Sequence, residues 1–389
     1  MTKPMQDDQL IFMISLPRSG STMLQKILGG HDAIYTRSEP WLMLHPLYAR
    51  KHDGIQARYD ARLAAQGVQD FISDLPEKGE DFYYAQLRDC YLSLYAPYLQ
   101  ANGKSRFLDK TPRYYEIFDE LQKTFPRAKF IVLYRNPLAV LASILETWVK
   151  GNLAKLKEYK GDLYQGVEFL QRDFSDYGNT HIVRYEELLQ DPESATAALF
   201  AFLQLPNQPD CIDYGKQPAE RWKYGDPGTV YAKNRPDASH ADAWQQQLSN
   251  AENRKLLADY LQILGKTGFE RMGYDYAQAE SAIGNSTPAD APIDASLSLR
   301  RLLRSVDEES KSLQEEVTRL QQQLNERTDQ FAALEKHLIE IFRSAESLKS
   351  HRAILQPQKK LGAYKRLLNT INTVRKSHTS RQGSKPSGL

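Results

Sequence analysis

The stretch LIFMISLPRSGSTMLQKIL, residues 10–28, decides the fold of this chain. It opens with a short apolar run at 10–15, which is typical of a buried strand in a parallel sheet. The residues at 16–20 follow as a loop, and apolar positions at 21–28 recur at helical spacing. A helix that begins after such a loop offers free backbone N–H groups and the positive end of its dipole, where anions bind. The stretch therefore predicts a strand, an anion-binding loop and a helix.

Two further stretches repeat the order of strand and helix. KFIVLY at 129–134 is strand-like, the turn at 135–137 places a proline in the first turn of a helix, and residues 138–149 are helical. HIVRY at 181–185 is a third strand, and a helix follows at 192–203. Strands that alternate with helices predict an α/β fold: a P-loop-like, three-layer domain with a mostly parallel sheet.

Three segments follow the globular pattern, which ends near Tyr276. Residues 277–293 are rich in Ala, Ser, Pro and Asn and are interpreted as a linker after a domain that spans residues 1–276. Residues 294–347 carry apolar residues at alternating spacings of three and four, without Pro or Gly, and predict a long coiled-coil helix. Residues 348–389 form a basic tail.

The predicted coiled coil has thirteen seam positions, of which all but Ser310 and Arg327 are apolar. A homodimer through this helix is the simplest assembly, and folding back on the globular domain is the alternative. The seam consists of Leu299, Leu303, Val306, Ser310, Leu313, Val317, Leu320, Leu324, Arg327, Phe331, Leu334, Leu338 and Ile341.

The charge is unevenly distributed along the chain. The formal net charge is +2, so the composition does not favour a nucleic-acid partner. The basic tail has ten Lys or Arg residues and no Asp or Glu, which leaves a net charge of −8 for the rest of the chain. Apolar residues between Leu361 and Val374 share one helical face flanked by basic residues. This face predicts peripheral contact with an anionic membrane or a protein, and a solvated tail is the alternative.

The cysteines and the N-terminus bear on metal binding and location. Cys90 and Cys211 stand in contexts without metal-ligand spacing, so the sequence predicts no metal site and a reducing compartment. The N-terminus is polar and acidic, unlike a signal peptide, and the apolar run at 10–16 is far shorter than the ~20 residues of a membrane span. The expected location is the cytoplasm, with the option of peripheral membrane contact.

The loop at 16–22 has the form of a phosphate cradle. Gly20 lets the backbone approach an anion, and Arg18 adds a charge-assisted donor. The pattern is not the G-x-x-x-x-G-K-[ST] of P-loop phosphotransferases, because the first glycine and the lysine are missing. A purely structural loop of the same composition is the alternative. The hydroxyl donors of the loop are Ser19, Ser21 and Thr22.

A second anion site is predicted after the strand at 129–134. Arg135 opens the following helix, and Ser143 lies eight residues later, just over two helical turns away. Ligands of open α/β sheets bind at the carboxyl ends of the strands, so an arginine and a hydroxyl that converge there suit a second phosphate. A surface arginine with a helix-packing serine is the alternative.

Four motifs in this order resemble the sulfotransferase family that uses 3'-phosphoadenylyl sulfate (PAPS) as donor. The resemblance covers about residues 10–275, and order and spacing agree as well as content. The motifs are LPRSGST at 16–22, FLDKTP at 107–112, FPRAKFIVLYRNPLAVLAS at 125–143 and HIVRYEELLQDPES at 181–194.

The resemblance implies a donor site. Residues 18–22 would bind the 5'-phosphosulfate of PAPS, and Arg135 and Ser143 would hold its 3'-phosphate. Tyr185 would line the nucleotide site. The segment VYAKNRP at 230–236 is similar to the family's last cofactor loop, with Lys233 as the first candidate there and Arg235 as the second.

The resemblance also implies catalytic residues. Tyrosylprotein and related bacterial-type members carry a general base at the position of Glu39, whereas His31 and His45 are the alternatives nearby. Lys110 and Arg18 would neutralise charge on the bridging and sulfuryl oxygens, and a plain Asp109–Lys110 salt bridge is the alternative. Some members place a lysine where this chain has Arg18, whose contribution would be purely electrostatic.

The acceptor is less determined than the donor. Residues 41–100 are helical and aromatic-rich and are predicted to cap the acceptor cleft. A carbohydrate hydroxyl is the expected acceptor, with a lipid, a polyketide or a tyrosine left open. A catalytically inactive nucleotide-binding scaffold, acting through its coiled coil and basic tail, is the alternative function. The complete set of Arg18, Lys110, Arg135 and Ser143 favours an active enzyme.

Overall fold

The computed structural model describes most of the chain. The described residues are 4–51, 58–76, 78–216, 233–285 and 299, and those between 319 and 341 except 321, 325, 329 and 335. The chain divides into two compact units, Met1–Glu308 and Glu309–Leu389. The first unit contains every predicted site residue.

A five-stranded parallel sheet forms the centre of the first unit. Its strand order is β2-β3-β1-β4-β5. The strands are β1 Leu10–Ser15, β2 Ile34–Thr36, β3 Arg106–Lys110, β4 Lys129–Tyr134 and β5 Thr180–Arg184. The predicted α/β fold with a parallel sheet is confirmed.

The register aligns the carboxyl ends of the inner strands. Met13 of β1 lies opposite both Lys110 of β3 and Ile131 of β4, and Tyr134 lies opposite Arg184 of β5. The loops that follow these strands therefore leave the sheet at one edge, where ligands of open parallel sheets bind.

The predicted strands at 10–15 and 129–134 have the predicted bounds. β5 ends one residue earlier than predicted, because Tyr185 begins the next helix. β2 and β3 were not predicted as strands. β2 has three residues, and β3 ends in Asp109 and Lys110, so neither shows the apolar run that marks a buried strand.

Helices occupy most of the remaining described chain of the first unit. Helix α11 is interrupted at Gly265, whose φ of 67° is not helical. The helices are α1 Ser21–Gly29, α2 Leu44–Tyr48, α3 Ala61–Ser73, α4 Gly79–Asn102, α5 Phe118–Thr124, α6 Pro137–Ile144, α7 Lys160–Leu163, α8 Gln165–Leu170, α9 Tyr185–Gln190, α10 Pro192–Phe202, α11 Ala251–Arg271 and α12 Tyr276–Asn285. Short 3₁₀ segments include Pro112–Ile117 and Ala243–Ser249.

The helix predicted at 138–149 is two elements. Helix α6 is followed by a π-helical turn, Leu145–Val149, and Lys150 closes it in a left-handed conformation. The Thr147 hydroxyl donates to the Ser143 carbonyl, a bond that competes with regular helix geometry. Such wide turns are frequent at functional sites.

Side chains that alternate along the strands supply two hydrophobic cores, one on each face of the sheet. Phe12 and Ile14 of β1 belong to one core, and Ile11 and Met13 belong to the other. Helices cover both faces, which gives the predicted three layers.

The boundary between the domain and the predicted linker lies later than the sequence indicates. Helix α12 contains residues 277–285 of that linker, because Ala279 and Ile283 lie one turn apart and are buried in the core. Leu299, the first predicted seam position, is also fully buried in this core, and its N–H donates to Asp259.

The described residues of the second unit are helical. Most of their apolar seam side chains are exposed within the single chain, from 49% for Ile341 to 69% for Phe331, whereas Leu338 is half-buried. Residues 294–298, 300–318 and 342–347 of the predicted coiled coil lie outside the described residues, as does all of the basic tail. No helix in the described part of the chain is long and apolar enough to span a membrane.

Candidate active site

A cavity of about 630 Å³ opens at the carboxyl edge of the sheet. Most of the predicted site residues line it, although they come from five separate segments of the chain. These residues are Arg18, Gly20, Ser21, Thr22, Glu39, Arg135, Ser143, Tyr185 and Lys233. Two predicted residues, Ser19 and Lys110, are buried just behind the wall.

The loop between β1 and α1 has an unusual backbone. Arg18 and Gly20 have φ values of 67° and 86°, and Gly20 is the N-cap of α1. A Cβ atom on Gly20 would lie 2.4 Å from the ring of Tyr185, so the site excludes any larger residue there. The hydroxyl of Ser19 is buried and has no hydrogen-bond partner among the described residues.

The two predicted anion sites meet. The Nε atom of Arg18 donates to the Ser143 hydroxyl over 3.1 Å, and Arg135 donates to the Arg18 carbonyl over 2.6 Å. The Arg135 guanidinium lies 4.6 Å from the ring centroid of Tyr185. Its Nε atom is buried without a hydrogen-bond partner in the described part of the structure.

The cluster therefore fits a ligand with several anionic oxygens. Two buried donors, on Ser19 and Arg135, have no acceptor among the described residues, and leaving buried donors unsatisfied is unfavourable. The N-terminus of α1 and the two guanidinium groups add positive potential beside them.

A buried ion pair lies on another side of the cavity. The ammonium of Lys110, the last residue of β3, lies 2.5 Å from the Glu39 carboxylate. The Lys110 side chain is fully buried, and that of Glu39 is 10% exposed and lines the cavity. Sequence reasoning placed Lys110 in a loop beside Asp109, whereas the structure pairs it with Glu39.

Asp109 instead organises a buried network behind the pair. Its carboxylate accepts hydrogen bonds from Tyr95, Tyr114 and Thr111 over 2.6, 3.1 and 3.2 Å. Burial raises the pKa of Asp109 to about 6, and these hydrogen bonds limit the rise.

The same network fixes the backbone that follows Glu39. The Trp41 N–H donates to the Thr111 hydroxyl over 3.3 Å, and the Met43 N–H donates to the Tyr114 hydroxyl over 3.1 Å. Asp109 thus holds residues 41–43 through two intermediate hydroxyl groups.

The predicted late loop is described only from Lys233 onward. Lys233 pairs with Asp237 over 2.8 Å and contacts His240, and all three line the cavity. Arg235 also lines the cavity and pairs with Glu193. The earlier part of the predicted motif, residues 230–232, lies outside the described residues.

The two alternative bases, His31 and His45, are not among the described residues that line the cavity. His31 is buried, with its Nε2 atom 2.9 Å from the Pro206 carbonyl and its Nδ1 atom accepting from the Ala33 N–H. His45 lies on the exposed surface of α2. Of these three candidates, Glu39 alone lines the cavity.

Several residues that line the cavity were not predicted as site residues. In the aromatic segment at 41–100, Trp41 is the described residue that reaches the wall, because rings such as Tyr84 and Tyr95 are buried in the core. Other unpredicted lining residues include Arg113, Glu146, Thr147, Trp148, Trp244 and Gln247. Among the described residues, no cluster of three or more His, Cys, Asp or Glu could hold a metal ion.

Comparison with known proteins gives related sequences over the same region. Residues 10–210 match the model of the sulfotransferase family. The chain is 30% identical over 215 residues to nodulation protein NoeE of Sinorhizobium fredii, covering 50% of this chain and 49% of that protein. It is 26% identical over 205 residues to protein-tyrosine sulfotransferase 1 of Danio rerio, covering 52% and 54%. The chain thus spans about half the length of these curated relatives.

Among solved structures, the sulfotransferase domain of the Synechococcus PCC 7002 olefin synthase is similar at 24% identity and a TM-score of 0.41. That alignment covers 61% of this chain and 86% of the domain. The sulfotransferase domain from the curacin biosynthetic pathway is similar at 22% identity and a TM-score of 0.40, covering 63% and 92%. Since the family model spans more than half of the 389 residues, this protein belongs to the sulfotransferase family.

Proposed function

We propose that this protein transfers the sulfuryl group of PAPS to a hydroxyl group of a carbohydrate acceptor. The observation that carries the proposal is the ion pair of Glu39 and Lys110 at the wall of the cavity that also holds Arg18. A carboxylate and two cations at one cavity supply a general base and stabilisation for a departing anion.

The donor would be held by the anion-binding cluster. Residues 18–22 would bind the 5'-phosphosulfate, since the buried Ser19 hydroxyl and the N-terminus of α1 both offer donors there. Arg135 and Ser143 would bind the 3'-phosphate, and Tyr185 would line the nucleotide site between the two. Lys233 would close the site from the late loop.

In the reaction, Glu39 would accept the proton of the acceptor hydroxyl as its oxygen bonds to sulfur. The bond between sulfur and the bridging oxygen would break, and adenosine 3',5'-bisphosphate (PAP) would leave with the negative charge. Lys110 and Arg18 would stabilise that charge. Lys110 contacts Oε1 of Glu39, and no described residue donates to Oε2. Oε2 is therefore the atom that would accept the proton of the hydroxyl.

The unpredicted lining residues support a carbohydrate as acceptor. They combine an aromatic ring, that of Trp41, with a carboxylate and an amide, those of Glu146 and Gln247. Sugars present apolar C–H faces and hydroxyl groups, which suit this combination of surfaces.

Calorimetry and turnover test the proposal. We expect PAP to bind wild type and the Glu39→Gln variant with affinities within about twofold, because Glu39 serves the acceptor. With labelled PAPS and an accepted oligosaccharide, the variant should lose about 10²–10⁴-fold in kcat. Binding of ATP without binding of PAP would refute the donor, and an active Glu39→Gln variant would refute the base. PAP binding with no transfer to any acceptor would favour the inactive scaffold.

A further inference from the structure

Three tryptophans line the cavity, of which Trp244 is buried in the hydrophobic core. The surroundings of the other two differ. The Trp148 ring stacks on Tyr159, with centroids 4.8 Å apart, and the Arg18 guanidinium lies 5.5 Å from its centroid. The Trp41 ring has one such neighbour in the described part of the chain, the Arg113 guanidinium at 5.9 Å. Trp41 is half-buried and lines the cavity, with fewer aromatic and cationic neighbours than Trp148 among the described residues.

The backbone at Trp41 is held in a rare conformation. Its φ is 54°, in the left-handed region that a bulky side chain seldom adopts. Such conformations persist where the surroundings enforce them, and they cluster at functional sites. Here the hydrogen bonds of Trp41 to Thr111 and of Met43 to Tyr114 enforce it, and both lead to the buried Asp109.

The ring of Trp41 is supported by a second buried carboxylate. Asp162 is 2% exposed and accepts two hydrogen bonds from Arg113, over 2.9 and 2.7 Å, and one from Tyr115 over 2.8 Å. The two hydrogen bonds to Asp162 fix the Arg113 guanidinium beside the Trp41 ring, and the carboxylate balances the positive charge of the guanidinium. Arg113 therefore supports the indole and is poorly suited to attract an anionic acceptor.

We propose that Trp41 determines acceptor specificity, with its cavity-lining ring as the platform for an uncharged sugar ring whose hydroxyl points to Glu39, two residues away. This inference rests on the proposed function. Glu146 and Gln247, which line the same cavity, supply hydrogen-bond partners for the other hydroxyls. An acidic peptide would meet the Glu146 carboxylate, and a small phenol would leave these polar groups unused.

Two substitutions of Trp41 separate the aromatic face from the bulk of the side chain. The assay uses labelled PAPS with a panel of neutral oligosaccharides, p-nitrophenol and a tyrosine peptide. We expect wild type to sulfate at least one oligosaccharide. Trp41→Leu should raise its KM about tenfold or more, and Trp41→Phe about threefold, with smaller changes in kcat. PAP affinity should stay within about twofold, since the described contacts of Trp41 are with Thr111 and Arg113, outside the donor cluster.

The Arg113→Met variant tests the support of the ring. Arg113→Met should raise the KM for the oligosaccharide. The double variant with Trp41→Leu should have a KM close to that of Trp41→Leu alone, because both changes remove the same platform. A structural role alone would lower activity toward every acceptor equally.

The outcomes distinguish this inference from the proposed function. Transfer to p-nitrophenol or the peptide but to no oligosaccharide would overturn the sugar platform and leave the transfer reaction intact. An unchanged oligosaccharide KM in both Trp41 variants would also overturn it. Should Trp41→Leu lose PAP binding through misfolding, an unchanged KM in Trp41→Phe suffices to reject the idea. A wild type that does not bind PAP would refute both proposals.

Discussion

The two sides of the cavity that we assign to the donor and to the acceptor are built differently. The donor side, residues 18–22 with Arg135, Ser143 and Tyr185, comes from the loops and helices that follow strands β1, β4 and β5. The acceptor side comes from segments far apart in sequence, and Trp41 and Arg113 hold their positions through buried carboxylates. The residues of a site at the ends of strands can be predicted from the local sequence, whereas those of a site assembled by tertiary contacts cannot.

The largest expected effect lies at Lys110, where the two sides meet. Lys110→Met would leave the Glu39 carboxylate without its partner, and breaking a buried pair in this way lowers the free energy of unfolding by about 3–5 kcal/mol. Loss of a charge-stabilising group should also lower kcat about 10²–10³-fold. Urea unfolding and turnover with labelled PAPS measure the two effects.

Lys123→Met is the matched control, because Lys123 pairs with Glu80 on the surface, where both side chains are about half exposed. It should change the free energy of unfolding by less than about 1 kcal/mol and leave kcat unchanged. Equal losses in the two variants would mean that the buried pair has no special role.

The donor side is tested at Gly20. Gly20→Ala adds a Cβ atom that meets the Tyr185 ring and forces alanine to adopt a φ of 86°. The left-handed backbone alone costs about 1–2 kcal/mol of stability. Because the ring must also move, we expect PAP affinity to fall about tenfold or more, as measured by calorimetry.

Gly103→Ala provides the comparison for backbone strain alone. Gly103 has a φ of 63°, and its added Cβ would meet nothing within 4 Å. This variant should lose a similar amount of stability and bind PAP normally. If it weakened PAP binding as much as Gly20→Ala, the contact with Tyr185 would not explain the donor effect.

The sequence predicted the fold and the donor side for one physical reason. Residues 10–15 and 129–134 are continuous apolar runs, and the loops after them carry Arg18 and Arg135. β3 was not predicted as a strand, because the buried Asp109 and Lys110 break its apolar pattern. The π-helical turn at 145–149 could not be predicted from helical periodicity, although it carries three residues of the acceptor wall.

The pH dependence of stability tests the network that holds the acceptor side. The pKa of Asp109 is about 6 in the folded protein and about 3.9 in an unfolded chain, so the folded state binds more protons between these values. Its contribution to stability therefore falls as the pH rises from about 4 to about 6 and is constant above. Asp109→Asn should remove this component, seen as the difference between the urea unfolding free energies of variant and wild type.

Asp173→Asn is a control with the opposite sign. The N–H of Ser175 donates to the exposed Asp173 and lowers the pKa of that carboxylate, so the small contribution of Asp173 to stability grows as the pH rises.

The Asp109→Asn variant should also raise the acceptor KM and leave PAP affinity unchanged, since Asp109 holds residues 41–43. A change in PAP affinity alone would place the network on the donor side.

The smallest expected effect comes from removing the second unit. We propose that the helix predicted at 294–347 forms a homodimer, since most of its described apolar seam residues after residue 319 are exposed in the single chain and exposed apolar seams of this kind associate. A chain ending at Glu308 keeps Leu299 in the core of the first unit and should be a monomer by light scattering. Its PAP affinity and its acceptor KM should both match those of the full chain, because both sides of the cavity lie before residue 250. A persistent dimer would move the interface to the first unit. A loss of acceptor binding with intact PAP binding would mean that the acceptor side, and it alone, depends on residues beyond that unit.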